Sequence, residues 1–211
     1  MTNTLATSRV RTVLDRLFAT AEQDTFPSGV SLDSSPQQRA DLLESVYMPI
    51  SPQAGDLIYA LVRATRPQTV VEYGTSYGIS TLHLAAAVAD NGGGHVYGSE
   101  MSATKIAAAE ANLTEAGLAD HVTILRGDAR ETLAGVPGPV GFVLLDGWKE
   151  LSLAVLGTLE HVLTPGALVL ADDTELPSLA AYLAHVRDPA NGYTSVNFPV
   201  ADGMEVSCRT A

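Results

Sequence analysis

The chain has 211 residues, 46% of them hydrophobic, and a formal net charge of −12. A chain of this length and composition can bury its own core, so we predict a single domain over residues 1–211. The acidic charge disfavours nucleic acid as a partner, because phosphate backbones would be repelled. A lone cysteine excludes a disulfide framework, and the short apolar runs predict no membrane partner and a cytoplasmic location.

The first third of the chain is predicted to be helical. Apolar residues recur at helical spacing through residues 5–24, a loop rich in Pro, Ser and Gly covers 27–36, and further helices are predicted at 37–46 and 52–65. We interpret residues 1–45 as an N-terminal helical cap on a core that comprises residues 46–211.

Strands and helices alternate from residue 69 onwards. Strands are predicted at 69–73, 95–99, 121–125, 142–145 and 167–170, and helices at 78–90, 102–117, 129–135, 150–162 and 175–188. The continuous apolar run at 142–145 is typical of a central strand buried on both faces. Segments 193–198 and 203–209 are predicted to form a terminal hairpin. The pattern predicts an α/β, Rossmann-like fold, with a seven-stranded, mostly parallel sheet, a C-terminal antiparallel hairpin and helices on both faces.

Glycines and acids follow the first three predicted strands. Gly74 and Gly78 allow the backbone to turn tightly against a ligand after the first strand. Glu100 ends the second strand, where an acid can accept ribose hydroxyls, and Asp128 follows the third, where an acid can accept an adenine amine. The turn lacks the Gly-x-Gly-x-x-Gly pattern of dinucleotide sites. The three strand ends together indicate a compact adenosine cofactor without a pyrophosphate.

Carboxylates follow the fourth and fifth predicted strands, at Asp146, Asp172 and Asp173. Because adjacent parallel strands end at the same edge of a sheet, we expect these three side chains to lie together. Carboxylates without nearby His or Cys suit a hard cation such as magnesium. Lys149 could take a proton from a metal-bound hydroxyl if its own pKa is lowered. An alternative reading makes Asp172 and Asp173 the N-cap of the helix predicted at 175–188.

Three segments carry a resemblance to a known family. Residues 144–150, Leu-Leu-Asp-Gly-Trp-Lys-Glu, look like the Leu-Asp-His-Trp-Lys-Asp stretch of the catechol methyltransferases, with Gly147 in place of the histidine. Residues 71–80 are similar to the family's methionine-donor loop, and residues 48–52 to the segment that opens its first core helix. The chain therefore resembles, over residues 46–211, the metal-dependent class I S-adenosylmethionine O-methyltransferases of the catechol and caffeoyl-CoA type.

The resemblance implies methyl transfer from S-adenosylmethionine to a hydroxyl of a small, phenolic molecule, with help from a divalent metal. Magnesium is the expected metal, and manganese or calcium could replace it. The implied metal ligands are Asp146, Asp172 and Asp173, and the implied catalytic residues are Lys149, as general base, and Asp146. The residues implied to contact the cofactor are Glu72, Gly74, Ser80, Glu100, Met101, Asp128, Ala129, Asp146 and Trp148. By the same analogy, the N-terminal helices would join two copies of the chain in a homodimer.

Two positions depart from the family pattern. The third metal ligand is usually Asn, whereas this chain has Asp173, and the extra negative charge predicts tighter cation binding or a different cation preference. Catechol enzymes hold the second hydroxyl with a Glu shortly before the final hairpin turn, whereas residues 195–198 contain no acid. Catechol itself is therefore not the expected acceptor, and the sequence does not identify another.

Three other functions were weighed. A nucleotide-dependent oxidoreductase would need a dinucleotide fingerprint, which the sequence lacks. A non-catalytic S-adenosylmethionine-binding protein would have no use for metal ligands beside a base. A methyltransferase that acts on protein or nucleic acid is disfavoured by the acidic charge and by the lack of a basic cluster.

Overall fold

The computed structural model describes residues 3–28, 30–31 and 33–210, so residues 29 and 32 of the predicted loop lie outside it. One sheet holds seven strands in the order β3-β2-β1-β4-β5-β7-β6. The strands are β1 (Thr69–Tyr73), β2 (His95–Glu100), β3 (Val122–Arg126), β4 (Val140–Leu145), β5 (Leu163–Asp172), β6 (Tyr193–Phe198) and β7 (Met204–Arg209). β1 to β5 pair in parallel, and β7 runs antiparallel to both β5 and β6. The predicted fold class is confirmed.

Eight α-helices surround the sheet in the described ranges. They are α1 (Ser8–Ala21), α2 (Pro36–Leu42), α3 (Pro52–Thr65), α4 (Ile79–Asn91), α5 (Ala103–Ala116), α6 (Ala129–Thr132), α7 (Ser152–Leu159) and α8 (Ala180–Arg187). Helices α1, α3, α4 and α5 supply side chains to one hydrophobic cluster, and α6, α7 and α8 to a second. None of the described helices is both long enough and apolar enough to span a membrane.

The alternation of side chains along the central strands explains why helices cover both faces. On β4, Phe142 and Leu144 belong to the first cluster, whereas Val143 and Leu145 belong to the second. All four side chains are fully buried. Successive side chains of a strand point to opposite faces, so an unbroken apolar run needs a packed layer on each side.

The N-terminal segment, by which we mean the described residues before α3, packs against this sheet rather than forming a separate unit. The predicted apolar stripe of α1 packs into the first cluster through Val10, Val13, Leu14 and Leu17. Beyond α1, the carboxylate of Asp24 accepts hydrogen bonds from the backbone N–H groups of residues 47 and 48, at 2.8 and 3.1 Å. These bonds hold the chain that leads into α3 against the rest of the molecule.

Several element boundaries differ from those predicted. The helix predicted at 37–46 ends at Leu42, and the strand predicted at 167–170 is longer, from Leu163 to Asp172. The helix predicted at 175–188 begins with a 3-10 turn, Pro177–Leu179, and α8 starts only at Ala180. It stops before Asp188, which is extended because a proline follows and disfavours the helical conformation.

Gly55 and Gly157 both lie in helices, but only Gly55 is closely packed, so substituting each by alanine distinguishes the effect of packing from that of helix propensity. A Cβ added to Gly55 of α3 would lie 2.5 Å from Nε2 of the buried His83 on α4, whereas a Cβ on Gly157 of α7 would meet no atom within 4 Å. We predict that Gly55→Ala lowers the free energy of unfolding by about 1–3 kcal/mol, because it overpacks the α3–α4 contact. Gly157→Ala should raise it by up to about 1 kcal/mol through helix propensity.

Urea unfolding of both variants and the wild type measures this difference. A Gly55→Ala protein as stable as the wild type, with Gly157→Ala behaving as expected, would show that α3 and α4 are not packed as described.

Candidate active site

A cavity of about 280 Å³ opens at the carboxyl ends of the parallel strands. We call it the donor cavity. Its wall is formed by the turn after β1, the ends of β2 and β4, and residues 47–50 of the N-terminal segment. Of the residues that the sequence assigned to the cofactor, the following line it: Gly74, Ser80, Glu100, Met101, Ala129, Asp146 and Trp148.

The turn after β1 lies at the point where the strand order reverses, because β2 and β4 flank β1 on opposite sides. Gly74 has φ of +95°, and a Cβ there would lie 2.7 Å from the backbone oxygen of Asp146 and the backbone nitrogen of Gly147. Gly78, with φ of +88°, then opens α4. Because the backbone of the turn lies against the backbone that follows β4, only glycine fits at position 74.

Glu72 lies beneath this turn and not on the cavity wall. Its carboxylate is fully buried and accepts hydrogen bonds from the hydroxyls of Thr75, Ser80 and Thr81 at 2.9, 2.7 and 2.6 Å. Burial raises the pKa of Glu72 to about 7, although the three hydroxyl donors oppose the shift. Glu72 therefore stabilises the turn through these hydrogen bonds. Ser80 lines the cavity, whereas Glu72 does not.

Glu100 is where the sequence predicted an acid for a ribose. One carboxylate oxygen accepts the backbone N–H of Ser76 at 2.8 Å, and the other accepts those of Met101 and Ser102, each at 2.8 Å. These bonds fix the carboxylate on the cavity wall. The oxygen that accepts two N–H groups has both acceptor sites used, whereas the oxygen bound by Ser76 retains one, so one ribose hydroxyl could still donate to this carboxylate.

Asp128 is placed differently from the prediction. Its carboxylate accepts Nε and Nη2 of Arg130, at 3.0 and 2.5 Å, and these bonds lower its pKa. Asp128 does not line the donor cavity, whereas its neighbours Gly127 and Ala129 do. An adenine amine would have to compete with Arg130 for this carboxylate.

Asp146, Asp172 and Asp173 come together as predicted, and we call them the acid cluster. Their carboxylates offer oxygens that lie within 4.8 Å of one another. Oδ1 of Asp172 is buried and has no hydrogen-bond partner, and burial together with Asp146 raises the pKa of Asp172 to about 7. Asp173 has φ of +58°, in the left-handed region that Asn and Asp tolerate better than most residues.

The reading of Asp172 and Asp173 as a helix cap is not supported. The 3-10 turn that precedes α8 has Leu176 at its N-cap and no side-chain cap, and α8 itself has none. The two carboxylates are thus left to the acid cluster.

Lys149 points into the acid cluster. Its Nζ lies 2.7 Å from Oδ1 of Asp146 and 3.0 Å from Oδ2 of Asp173. Burial alone would lower the pKa of Lys149, but the attraction of the two carboxylates outweighs burial and raises it above its usual range. The condition set from the sequence, a lowered pKa of Lys149, is therefore not met in this arrangement, because the ammonium has two close counter-ions.

At Gly147, where the enzymes that the sequence resembles have histidine, there is no room for a side chain. A Cβ at this position would lie 2.4 Å from the ring of Tyr73, which fills the space. The Tyr73 hydroxyl donates to the backbone oxygen of Trp148 at 3.1 Å and so supports the segment that carries Trp148 and Lys149.

Several site residues escaped the sequence reasoning. The rings of Tyr47 and Tyr77 stack at 3.8 Å on the cavity wall, and the buried Lys105 lines it as well. Arg39 of α2 lies over Trp148. Arg39 and Tyr47 lie outside any motif and reach the site through tertiary packing, and Lys105 comes from α5. Tyr77 belongs to the 71–80 segment, but no sequence signal indicated its role.

Comparison with known proteins agrees with this geometry. A protein family described as a methyltransferase domain matches residues 71–174, from β1 through the acid cluster. The O-methyltransferase from Bacillus cereus, solved with SAH, shares the fold with a TM-score of 0.71, 18% identity, and coverage of 94% of this chain and 91% of that one. TomG from Streptomyces achromogenes, solved with SAM, gives a TM-score of 0.67 at 21% identity, with coverage of 87% and 93%. The chain has the fold of these methyltransferases.

Catechol O-methyltransferases are among the sequence relatives of the chain. The catechol O-methyltransferase of Mycobacterium tuberculosis is 30% identical over 135 residues, which is 64% of this chain and 60% of the relative. That of Mus musculus is 28% identical over 171 residues, or 75% and 64% of the two chains. The chain is similar to the S-adenosylmethionine O-methyltransferases of the catechol type, and it matches somewhat less than two thirds of these two relatives' length.

The raised pKa of Glu72 predicts a pH-dependent loss of stability. As pH rises from the ordinary value of 4.5 towards about 7, the unfolded chain releases this proton before the folded chain does, so folding becomes less favourable. Glu72→Gln cannot ionise. We expect the unfolding free energy of the variant, relative to the wild type, to rise by on the order of 2 kcal/mol between pH 5 and 8.

Glu205→Gln is the matched control, because Glu205 is equally buried but paired with Arg187 at 2.6 Å, and its pKa is lowered. Both folded and unfolded states of Glu205 are ionised from pH 5 to 8, so its difference from the wild type should stay flat. Chemical unfolding at several pH values measures both differences. A flat profile for Glu72→Gln would contradict the described environment.

Proposed function

We propose that the chain transfers a methyl group from S-adenosylmethionine to a hydroxyl of a small molecule, with a divalent cation at the acid cluster. The observation that carries the proposal is the position of the acid cluster and Lys149. Asp146, Asp173 and Lys149 line the same cavity as Gly74 and Glu100. A methyl donor and an activated hydroxyl could thus meet within one cavity.

The donor would lie across the strand ends. Gly74 and Ser80 are available to its methionine end, and Glu100 to its ribose. Gly127 and Ala129 form the far wall, where an adenine would fit without Asp128. The names of solved neighbours, which contain SAH or SAM, support the same donor for this chain.

The acid cluster fits a hard divalent cation. It offers only carboxylate oxygens. Oδ1 of Asp172 is buried without a hydrogen-bond partner among the described residues, and a bound cation would be its partner. Asp146, Asp172 and Asp173 would hold the ion. When bound, it would polarise the acceptor hydroxyl and neutralise the carboxylates that keep the proton on Lys149.

The protein's own contribution is to orient the reactants and to manage one proton. Lys149 Nζ is held by Asp146 and Asp173, and it would receive the hydroxyl proton once a cation at the acid cluster has neutralised these carboxylates and the ammonium has released its own proton to solvent. The turn at Gly74 and the indole of Trp148 restrict where donor and acceptor can lie. In-line transfer benefits most from such restriction, because the entropy of alignment is removed beforehand.

The acceptor end of the cavity favours a flat, apolar body. Leu43, Met48, Leu176 and Trp148 are among its lining residues. The stretch 195–198 supplies no acid for a second hydroxyl, and Asn197 is engaged with the hydroxyl of Thr174 at 2.8 Å. We therefore propose a phenol with one reacting hydroxyl as acceptor class, rather than catechol itself.

Lys149→Met tests the transfer reaction. We expect kcat to fall by about 10²–10⁴-fold, the usual contribution of a general base, when transfer of labelled methyl to a panel of phenols is measured. Donor affinity by calorimetry should change little, because Lys149 faces the acid cluster. Arg126→Met is the control, since Arg126 pairs with Glu110 on the surface. A wild type that fails to bind S-adenosylmethionine would contradict the proposal.

Asp173→Asn tests the cation. Asn also tolerates the left-handed conformation at this position, so the backbone is retained while one negative charge is removed. We expect the affinity for magnesium or manganese, measured by calorimetry in the absence of an acceptor, to fall about tenfold, equivalent to about 1.4 kcal/mol. If the wild type binds S-adenosylmethionine but shows no measurable cation binding, the proposed role of the cation is contradicted.

A further inference from the structure

Arg39 is a buried cation that the mechanism above does not use. It lies on α2, whose start is fixed by a reciprocal capping box between Ser35 and Gln38. Its side chain is 3% exposed. Two residues of the same segment, Ala40 and Leu43, line the donor cavity. Arg39 thus stands directly behind a part of the cavity wall that comes from the N-terminal segment.

The guanidinium holds the two residues that flank Lys149. Its Cζ lies 4.7 Å from the centre of the Trp148 ring, and its Nη2 donates to Oε1 of Glu150 in a close ion pair. The Tyr73 hydroxyl also donates to the backbone oxygen of Trp148. The segment 148–150 is therefore held by contacts with both Arg39 and Tyr73.

Stability alone does not account for this arrangement. Nε and Nη1 of Arg39 are buried and have no hydrogen-bond partner among the described residues, and burying an unpaired donor is destabilising. The carboxylate that pairs with the guanidinium, Glu150, is itself a third exposed. An apolar side chain of similar size would fill the same space without these costs. What such a side chain could not do is stack a planar cation on the indole while binding the residue beyond Lys149.

We propose that Arg39 is a positioning residue that fixes the indole of Trp148 and the segment carrying Lys149 against the donor cavity. This inference rests on the proposed function. The N-terminal segment thereby becomes part of the catalytic apparatus, although Arg39 touches neither donor nor acceptor. Loss of the guanidinium frees the indole to rotate and Lys149 to drift, and small displacements of aligned groups are costly for a transfer reaction.

The chain carries a direct reporter, because Trp148 is its single tryptophan. Tryptophan emission, its anisotropy and its quenching by acrylamide therefore describe this one side chain. We compare the wild type with Arg39→Met, which keeps the bulk, Arg39→Lys, which keeps the charge without the planar stack, and Glu150→Gln. Arg16→Met is the matched control, since Arg16 joins α1 to Glu115 of α5 through a surface ion pair.

For Arg39→Met we expect lower anisotropy and stronger acrylamide quenching of Trp148, with donor affinity by calorimetry within about twofold of the wild type and kcat reduced about tenfold or more. Arg39→Lys should resemble Arg39→Met in fluorescence, and Glu150→Gln should fall between it and the wild type. Arg16→Met should match the wild type in all three measurements.

Unchanged Trp148 fluorescence in both Arg39 variants would overturn the proposal, and so would an equal change in Arg16→Met. If Arg39→Met does not fold, Arg39→Lys and Glu150→Gln decide by the same readouts. The fluorescence result does not depend on activity. Failure of donor binding in the wild type would instead count against the proposed function.

Discussion

The geometry of the site depends on one buried carboxylate. Glu72 ends up beneath the turn after β1, where three hydroxyls donate to it and hold residues 75–81 in place. The position of that turn is fixed as well by close packing, because Gly74 contacts the backbone that follows β4 and could not carry a side chain. The donor half and the acid cluster are therefore locked to each other through the backbone, and only the side chains around them can vary.

Parallel pairing of β1, β4 and β5 then determines which groups meet. Asp146 follows β4 and Asp172 ends β5, so neighbouring strands deliver both carboxylates to one edge of the sheet. Burial disfavours these charges, and Lys149 offsets only part of them, since three carboxylates face one ammonium. A second cation would complete the balance, which is the electrostatic basis of the proposed metal role.

Much of this could be predicted from the sequence because it follows from local patterns. Apolar runs and their spacing located the strands, and the order of glycine and acid residues at strand ends located the donor cavity and the acid cluster. The sequence could not predict that Arg130 forms an ion pair with Asp128, that Glu72 lies under the turn, or that Lys149 has two counter-ions. Each of these depends on which of several nearby partners a side chain reaches. Arg39, far from any motif, is positioned by the packing of α2 alone.

The central claim is that donor and cation occupy adjoining parts of one cavity. Anomalous diffraction from crystals grown with manganese and S-adenosylhomocysteine tests it most directly. The account predicts a manganese peak within coordination distance of Asp146, Asp172 and Asp173, with the cofactor against Gly74 and Glu100. Ordered cofactor with no manganese at the acid cluster, or a cofactor bound outside the donor cavity, would contradict it.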